Sequence, residues 1–308
     1  MCSVIKGDNI SKWYGNILGL SEISIDISGG IQGLLGPNGA GKSTLIKILT
    51  GQLKPNIGKI EIFGENVFNN YEIFQRIGYC PEFDAYYRDV SGWEFIHFKS
   101  ALFGYGTKET KERAYAAIEK VGLSDSMNRK ITEYSLGMRQ RLKFASSIIN
   151  DFDLLILDEP LRGVDPLWRI KIISMLKKFE SAGKTIIVSS HILTEIESLT
   201  NNVILIHQGK VFAHGDIHEI RDLIGSHPHK VSVVCDKTRE LTKKMIGDKL
   251  LLSIQFLDNE SKVIFETDKR DKFFDSLTST VSSSGINVTE ITSPDDNLQS
   301  VFDYLIGG

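Results

Sequence analysis

Apolar residues recur along this chain in several rhythms. Between residues 1 and 28 they alternate with polar ones: Ile23, Ile25 and Ile27 stand against Ser24, Asp26 and Ser28. That period of two predicts half-buried strands in an initial β layer. Ile31-Gln32-Gly33-Leu34-Leu35 reads as a short buried strand, and residues 58–63 and 77–80 add two more. From 90 to 150 the pattern becomes mostly helical. Ser91 with Glu94 makes a capping box ahead of Trp93, Phe95, Ile96 and Phe98. A second helix over 107–121 ends at Gly122, and a third starts at Ser135 and runs toward Ile149.

Strand and helix then alternate again. Strand 154–158 leads to Asp165 as N-cap and Pro166 as first helical residue, and the helix over 166–182 stops at Gly183. Strand 185–189, helix 192–200 and strands 203–207 and 210–214 around Gln208-Gly209 follow, and Asp216 with Glu219 caps a short helix. Gly225-Ser226-His227-Pro228-His229 has the composition of a linker. These patterns predict an α/β domain over 1–225, with a helical subdomain at about 83–150, and a second domain over 226–308. In the second, strand (230–235), helix (237–246), strands (250–257 and 261–267), helix (270–284), strand (286–292) and helix (295–306) suggest a small ferredoxin-like α+β unit. It carries no catalytic constellation and reads as a regulatory or dimer-supporting accessory domain.

Composition narrows the partners more than the fold. The 308 residues are 41% hydrophobic and 24% charged, with a net charge of −3, so nothing predicts a nucleic-acid-binding surface. Cys2, Cys80 and Cys235 are too few and too scattered for a metal pattern or a disulfide framework, which fits a reducing compartment. No apolar run approaches the roughly 18–20 residues that span a bilayer. The first residues show no basic segment followed by an apolar stretch, so no secretion signal is expected.

Gly36-Pro37-Asn38-Gly39-Ala40-Gly41-Lys42-Ser43-Thr44 carries the first chemistry. Between a buried strand and the helix begun by Leu45, Ile46, Ile48 and Leu49, this is a phosphate-binding loop. Its glycines allow a nest of N–H groups aimed at a polyphosphate. Lys42 places a positive charge on the β/γ-phosphates, and the Ser43 hydroxyl can ligate Mg²⁺. Leu154-Leu155-Ile156-Leu157-Asp158-Glu159 delivers two carboxylates to a strand's C-terminal end, where α/β sheets bind ligands. Asp158 is suited to hold Mg²⁺ through its hydration shell, and Glu159 to orient or deprotonate an attacking water.

Tyr134-Ser135-Leu136-Gly137-Met138-Arg139-Gln140-Arg141 resembles the signature sequence of ABC-family ATPases, and residues 1–225 fall into line with that family in order. The resemblance implies the P-loop NTPase fold of an ABC ATPase, with its antiparallel β layer and helical subdomain. It also implies ATP and Mg²⁺ as cofactors. Tyr14 is similar to the aromatic that stacks on adenine, His191 to the switch histidine at the γ-phosphate, and Gly163-Val164-Asp165 to the loop joining two subunits. Glu82, in Tyr79-Cys80-Pro81-Glu82, stands where the family usually has a glutamine that touches Mg²⁺ and links to the transmembrane partner. A carboxylate is a harder Mg²⁺ ligand than an amide. Glutamate there resembles the drug-resistance exporter branch, the ABC-2 type. Arg162 replaces a common serine or threonine, and Leu136 a common glycine.

In the family the signature completes the site of a partner chain. The resemblance therefore implies a dimer of two copies sandwiching two ATP molecules, with Ser135 and the Gly137 N–H on the partner's γ-phosphate. It further implies a separate membrane permease, docked on the aromatic-rich segment 83–104, and a location at the cytoplasmic face of the cell membrane. The expected function is ATP hydrolysis that powers substrate movement, in the export direction, through that permease. The rival is a soluble ABC ATPase acting on nucleic acid or ribosomes. Such proteins usually carry two cassettes, a long coiled-coil insertion or zinc cysteines, and this sequence has none of them. A P-loop kinase or GTPase does not explain the signature and the switch histidine together, and a guanine-specific Asn-Lys-x-Asp motif is absent.

Overall fold

The computed structural model of the protein describes residues 3–84, 89–223, 228–246, 250–257, 261–294 and 300. Tyr86, Tyr87, most of the linker-like stretch and all of the expected helix 295–306 except residue 300 lie outside the described residues. The chain divides into two compact units, Met1–Gly215 and Asp216–Gly308.

The first unit layers an antiparallel sheet against a parallel one. Strands β1 (Ile5–Tyr14), β2 (Ile17–Ile27), β4 (Ile57–Ile62) and β5 (Glu65–Asn66) form the antiparallel layer in the order β2-β1-β4-β5. The alternation read in the sequence is the inward set Ile23, Ile25 and Ile27 of β2, all buried. The second sheet contains β3 (Ile31–Leu35), β6 (Ile77–Cys80), β7 (Leu154–Asp158), β8 (Thr185–Ser190), β9 (Asn202–His207) and β10 (Lys210–Asp216), ordered β10-β9-β3-β8-β7-β6. Pairing is parallel from β9 across to β6. Strands β3, β7 and β8 are buried at every position, which is why they read as continuous rather than alternating runs. Helix α1 (Lys42–Leu49) lies between the layers. Its Leu45, Ile46, Ile48 and Leu49 share one core with Ile5, Ile10 and Ile23 of the antiparallel sheet and Ile156, Ile187 and Ile204 of the parallel sheet.

Three helices make the helical subdomain: α3 (Gly92–Ala101), α4 (Thr107–Lys120) and α5 (Leu136–Ser147), each in contact with the other two. Both halves of the Ser91–Glu94 capping box form. Asp165 accepts the Trp168 N–H at 3.1 Å and opens α6 (Pro166–Ser181). Two departures from the sequence pattern are local. Helix α2 (Tyr71–Gln75), capped by Asn70, is too short to show a periodicity. Helix α7 (Leu193–Glu197) ends sooner than residue 200, because the N–H groups of both Leu199 and Thr200 turn back onto the Ile196 carbonyl.

The second unit begins with α8 (Ile217–Leu223), which the sequence pattern had grouped with the first domain. Strands β11 (His229–Cys235), β12 (Ser253–Leu257), β13 (Lys262–Thr267) and β14 (Val288–Thr292) form an antiparallel sheet ordered β12-β13-β11-β14. Helices α9 (Thr238–Met245) and α10 (Arg270–Ser284) contribute Leu241, Met245, Phe273 and Leu277 to a core with Val231, Val233 and Phe265. Among the described residues no helix is long and apolar enough to cross a membrane.

The join between helical subdomain and sheet is tight. A Cβ at Gly78 of β6 would collide with the Ser147 carbonyl at the end of α5. A backbone oxygen cannot rotate away, so Gly78→Ala is expected to cost about 1–3 kcal/mol, by analogy with overpacked cores. Urea unfolding monitored by circular dichroism checks this.

Candidate nucleotide site

The site grows out of the parallel register. Leu35 pairs with Ser190, and Ser189 pairs with Asp158, so the ends of β3 and β7 flank the end of β8. The loop after β3 and the acids after β7 therefore open into the same crevice at the strands' carboxyl ends, where α/β sheets bind ligands. Gly39 (φ 81°) and Gly41 (φ 112°) adopt backbone that side-chain-bearing residues rarely take. Gly36 is required by contact, since a Cβ there would strike the Ile206 carbonyl. Gly41 is the N-cap of α1 and has no side chain to satisfy the helix's first N–H groups. Those groups and the helix dipole are left to an anionic ligand.

One pocket is lined by Gly19, residues 38–44 and three carboxylates, Glu82, Asp158 and Glu159. Lys42 is buried against it, its Nζ donating to the carbonyls of Gly36 (2.6 Å) and Pro37 (3.2 Å). Burial lowers the Lys42 pKa, and the charges of Glu159, Asp158 and Glu82 work against that shift. Asp158 accepts from Ser189 Oγ at 2.5 Å and also hydrogen-bonds Ser43. Burial pushes its pKa up; the hydroxyl donors pull the other way. Ser43, Asp158 and Glu82 thus offer a hydroxyl and two carboxylates within one pocket, the hard oxygen donors that suit Mg²⁺. Among the described residues no group of three or more His, Cys, Asp or Glu is arranged to hold a metal unaided. Mg²⁺ bound alongside nucleotide phosphates takes only one or two carboxylates, so these residues fit it.

Glu159 has φ 52°, strained backbone for a non-glycine residue. The surroundings over-determine it: its N–H donates to Ser189 Oγ (3.0 Å), and its carbonyl accepts from Gln140 Nε2 (3.1 Å). Its Oε1 lies 2.9 Å from His191 Nδ1, a bond that puts the proton on Nδ1 when Glu159 is ionised. Burial raises the Glu159 pKa, while the His191 hydrogen bond and charge oppose the rise. A carboxylate made more basic in this way is suited to take a proton from water near neutral pH. Cys80, fully buried, has its thiol pKa pushed up to about 12 and is no nucleophile.

Tyr14 sits at the pocket's outer edge, 45% exposed, with its hydroxyl 3.3 Å from Thr44 Oγ1 and its ring against Gly19. Ser135 and Gly137 are elsewhere. Ser135 caps α5, accepting the Met138 N–H at 3.2 Å, and neither residue lines the pocket. Leu136 packs on Gly163, and a Cβ at Gly137 would lie 3.1 Å from the Gly163 carbonyl. Four supporting residues went unread in the sequence. Ser189 holds both Asp158 and Glu159, and Gln140 holds the carbonyls of Glu159 and Pro160. Lys143 donates to the Glu82 carbonyl at 2.6 Å. Buried Glu195 accepts from Ser190 Oγ at 2.8 Å, beside His191. Only Ser189, one residue from the end of a buried strand, carried a signal that could have found it.

The bacitracin transport ATP-binding protein BcrA of Bacillus licheniformis is 33% identical over 322 residues, covering 100% of this chain and 99% of that protein. The family profile described as ABC transporter matches residues 20–162. The chain belongs to the ABC transporter family. It is an ATP-binding subunit and an ATPase. This ABC ATPase is also 30% identical to the linearmycin resistance ATP-binding protein LnrL of Bacillus subtilis (strain 168), over 99% of this chain and 98% of that protein. A solved structure of an ATP-binding subunit of an ABC transporter matches with a TM-score of 0.67 at 26% identity, covering 72% of this chain and 94% of that one.

The raised pKa of Glu159 has a consequence for stability. The folded state binds that proton more readily than the unfolded state. Ionised Glu159 therefore weakens the fold above its folded pKa, and the penalty fades as pH falls toward the ordinary carboxylate value. In nucleotide-free protein, Glu159→Gln should melt higher than the parent at pH 7, and the difference should shrink as pH falls through the carboxylate range. Calorimetry across pH checks the sign.

Proposed function

We propose that this ABC ATPase drives export through a separate membrane permease by closing and reopening a two-fold dimer around two ATP molecules. The observation that carries the dimer is the separation of Ser135 and Gly137 from the pocket beside Lys42, although the signature pattern suits a phosphate anion. A second copy, related by a two-fold axis, would bring those groups to the open side of the pocket. The export direction rests on the resistance function in LnrL's name and on the Glu82 resemblance.

In this reading the loop N–H groups and Lys42 bind the β/γ-phosphates, Tyr14 stacks on the adenine, and Ser43, Asp158 and Glu82 hold Mg²⁺. The ion, when bound, would neutralise charge developing on the β- and γ-phosphate oxygens. Glu159 takes the proton of the attacking water. His191 orients the Glu159 carboxylate through Nδ1 and meets the γ-phosphate, so loss of that phosphate is felt at both residues. Ser135 and Gly137 of the second copy cap the same phosphate. Exposed Phe83, Phe98 and Leu102 of segment 83–104 support the docking of the permease, which would keep the protein at the cytoplasmic face of the membrane. The second unit, with its own core and its split-βαβ strand order, serves as a ferredoxin-like accessory domain.

Two variants test the assignment. Glu159→Gln should keep ATP binding, lower turnover by about 10²–10⁴-fold and accumulate an ATP-bound dimer on size-exclusion chromatography. Normal ATPase activity in that variant would remove Glu159 from the base role. Lys42→Ala should weaken nucleotide binding and abolish hydrolysis, as read by equilibrium binding and phosphate release.

A further inference from the structure

Glu82 is held from two directions by elements far away in sequence. Its backbone is pinned by α5: Lys143 Nζ, on a side chain only 5% exposed, donates to the Glu82 carbonyl at 2.6 Å and pairs with Asp84 at 3.2 Å. Arg139, one turn earlier on α5, reaches Asp84 at 3.1 Å. Its side chain is gripped from the other side, where Arg162 Nη1 lies 3.1 Å from Glu82 Oε1. Arg162 reaches that position because the chain turns directly after Glu159, with the Arg162 N–H on the Glu159 carbonyl at 3.3 Å. The carboxylate it holds lines the phosphate pocket together with Asp158 and Glu159.

We propose that Arg162 is the positioning residue for the Glu82 carboxylate and competes for it with the divalent cation that accompanies ATP. This rests on the reading that Glu82 stands beside the Mg²⁺ site. Three carboxylates around one pocket repel each other, and Lys42 alone does not balance them. Arg162 supplies the missing positive charge to Glu82 when no cation is bound. Because Lys143 fixes the backbone, an arriving cation need only draw the Glu82 side chain off Arg162; the segment itself stays in place. Arg162 is 62% exposed, so the ion pair is weak enough to be exchanged. Release of Arg162 would free the loop that also carries Gly163, on which Leu136 of the signature packs. Cation binding at one end of the site is thereby felt at the surface proposed to meet the second copy.

The test is equilibrium binding of a fluorescent ATP analogue to the full chain, titrated with Mg²⁺ at fixed nucleotide. Arg162→Ala is expected to lower the half-saturating Mg²⁺ concentration by about two- to fivefold, the range of an exposed ion pair. Arg162→Lys should stay near the parent, and Arg162→Gln should reproduce the alanine result if Arg162→Ala does not fold. Glu82→Ala should raise the Mg²⁺ requirement, and in that background Arg162→Ala should have no further effect. An unchanged or raised requirement in Arg162→Ala, with Glu82→Ala still shifted, overturns the competition and leaves the metal reading intact. An unchanged requirement in Glu82→Ala overturns the metal reading and the proposal with it. Equal effects of Arg162→Ala in both backgrounds would mean simple removal of a surface charge, and would also overturn it.

Discussion

Glu82, Asp158 and Glu159 share one pocket, and holding three carboxylates together is the constraint on which the rest of the site depends. Carboxylates taken out of water resist ionisation, and like charges nearby resist it further. The fold answers with fixed partners. Ser189 and Ser43 donate to Asp158, His191 to Glu159 and Arg162 to Glu82, while Lys42 places its charge among all three. Negative charge left uncancelled favours a divalent cation and repels a phosphate, so anion binding at such a pocket depends on Lys42, the loop N–H groups and that cation together.

Helix α5 ties this electrostatic arrangement to the signature. Its first turn carries Ser135 and Gly137, and residues one or two turns along carry Gln140 and Lys143. Gln140 holds the backbone of Glu159 and Pro160, and Lys143 holds the backbone of Glu82. A rigid helix bonded along its length in this way cannot shift its first turn without moving the residues that hold Glu159 and Glu82. The strained backbone of Glu159 belongs to the same network, because Gln140 and Ser189 together keep it in the left-handed region. In the reading proposed above, where the signature serves a second copy and Glu159 is the base, such a helix would link closure of the dimer to alignment of the base.

Most elements of the fold were legible in the chain because their signals are local. The Ser91–Glu94 box, the Asp165-Pro166 start and the glycine stops at 122 and 183 act over a single turn. The same locality explains the misses. Helix α2 is a single capped turn with no period to detect, and α7 is cut short by hydrogen bonds within its own last turn. The grouping of α8 was hidden because nothing in a stretch of seven residues states which compact unit it joins. Within the site, the phosphate loop, the paired acids and His191 could be read, since each lies within a few residues of a strand end. Gln140 and Lys143 could not, for they act on atoms brought close only by folding, and Glu195 could not, for its bond to Ser190 at the end of β8 spans a loop and leaves no local pattern.

The sequence by itself determined the chemistry of each piece: a nest of N–H groups with a lysine, a strand ending in two acids, and a capped helix with glycine in its first turn. Those are properties of contiguous residues, fixed by backbone sterics and hydrogen bonding at short range. Tertiary structure alone decided which charges face one another. Glu82 and Arg162 are 80 positions apart, as are no two residues a local pattern can compare, yet they meet at 3.1 Å. Parallel pairing of β6 with β7 sets that geometry, because Glu82 lies just past the end of one strand and Arg162 past the end of the other, a parallel sheet brings the ends of distant strands to a common edge, and Coulomb interactions there depend on separation in space and not on separation along the chain.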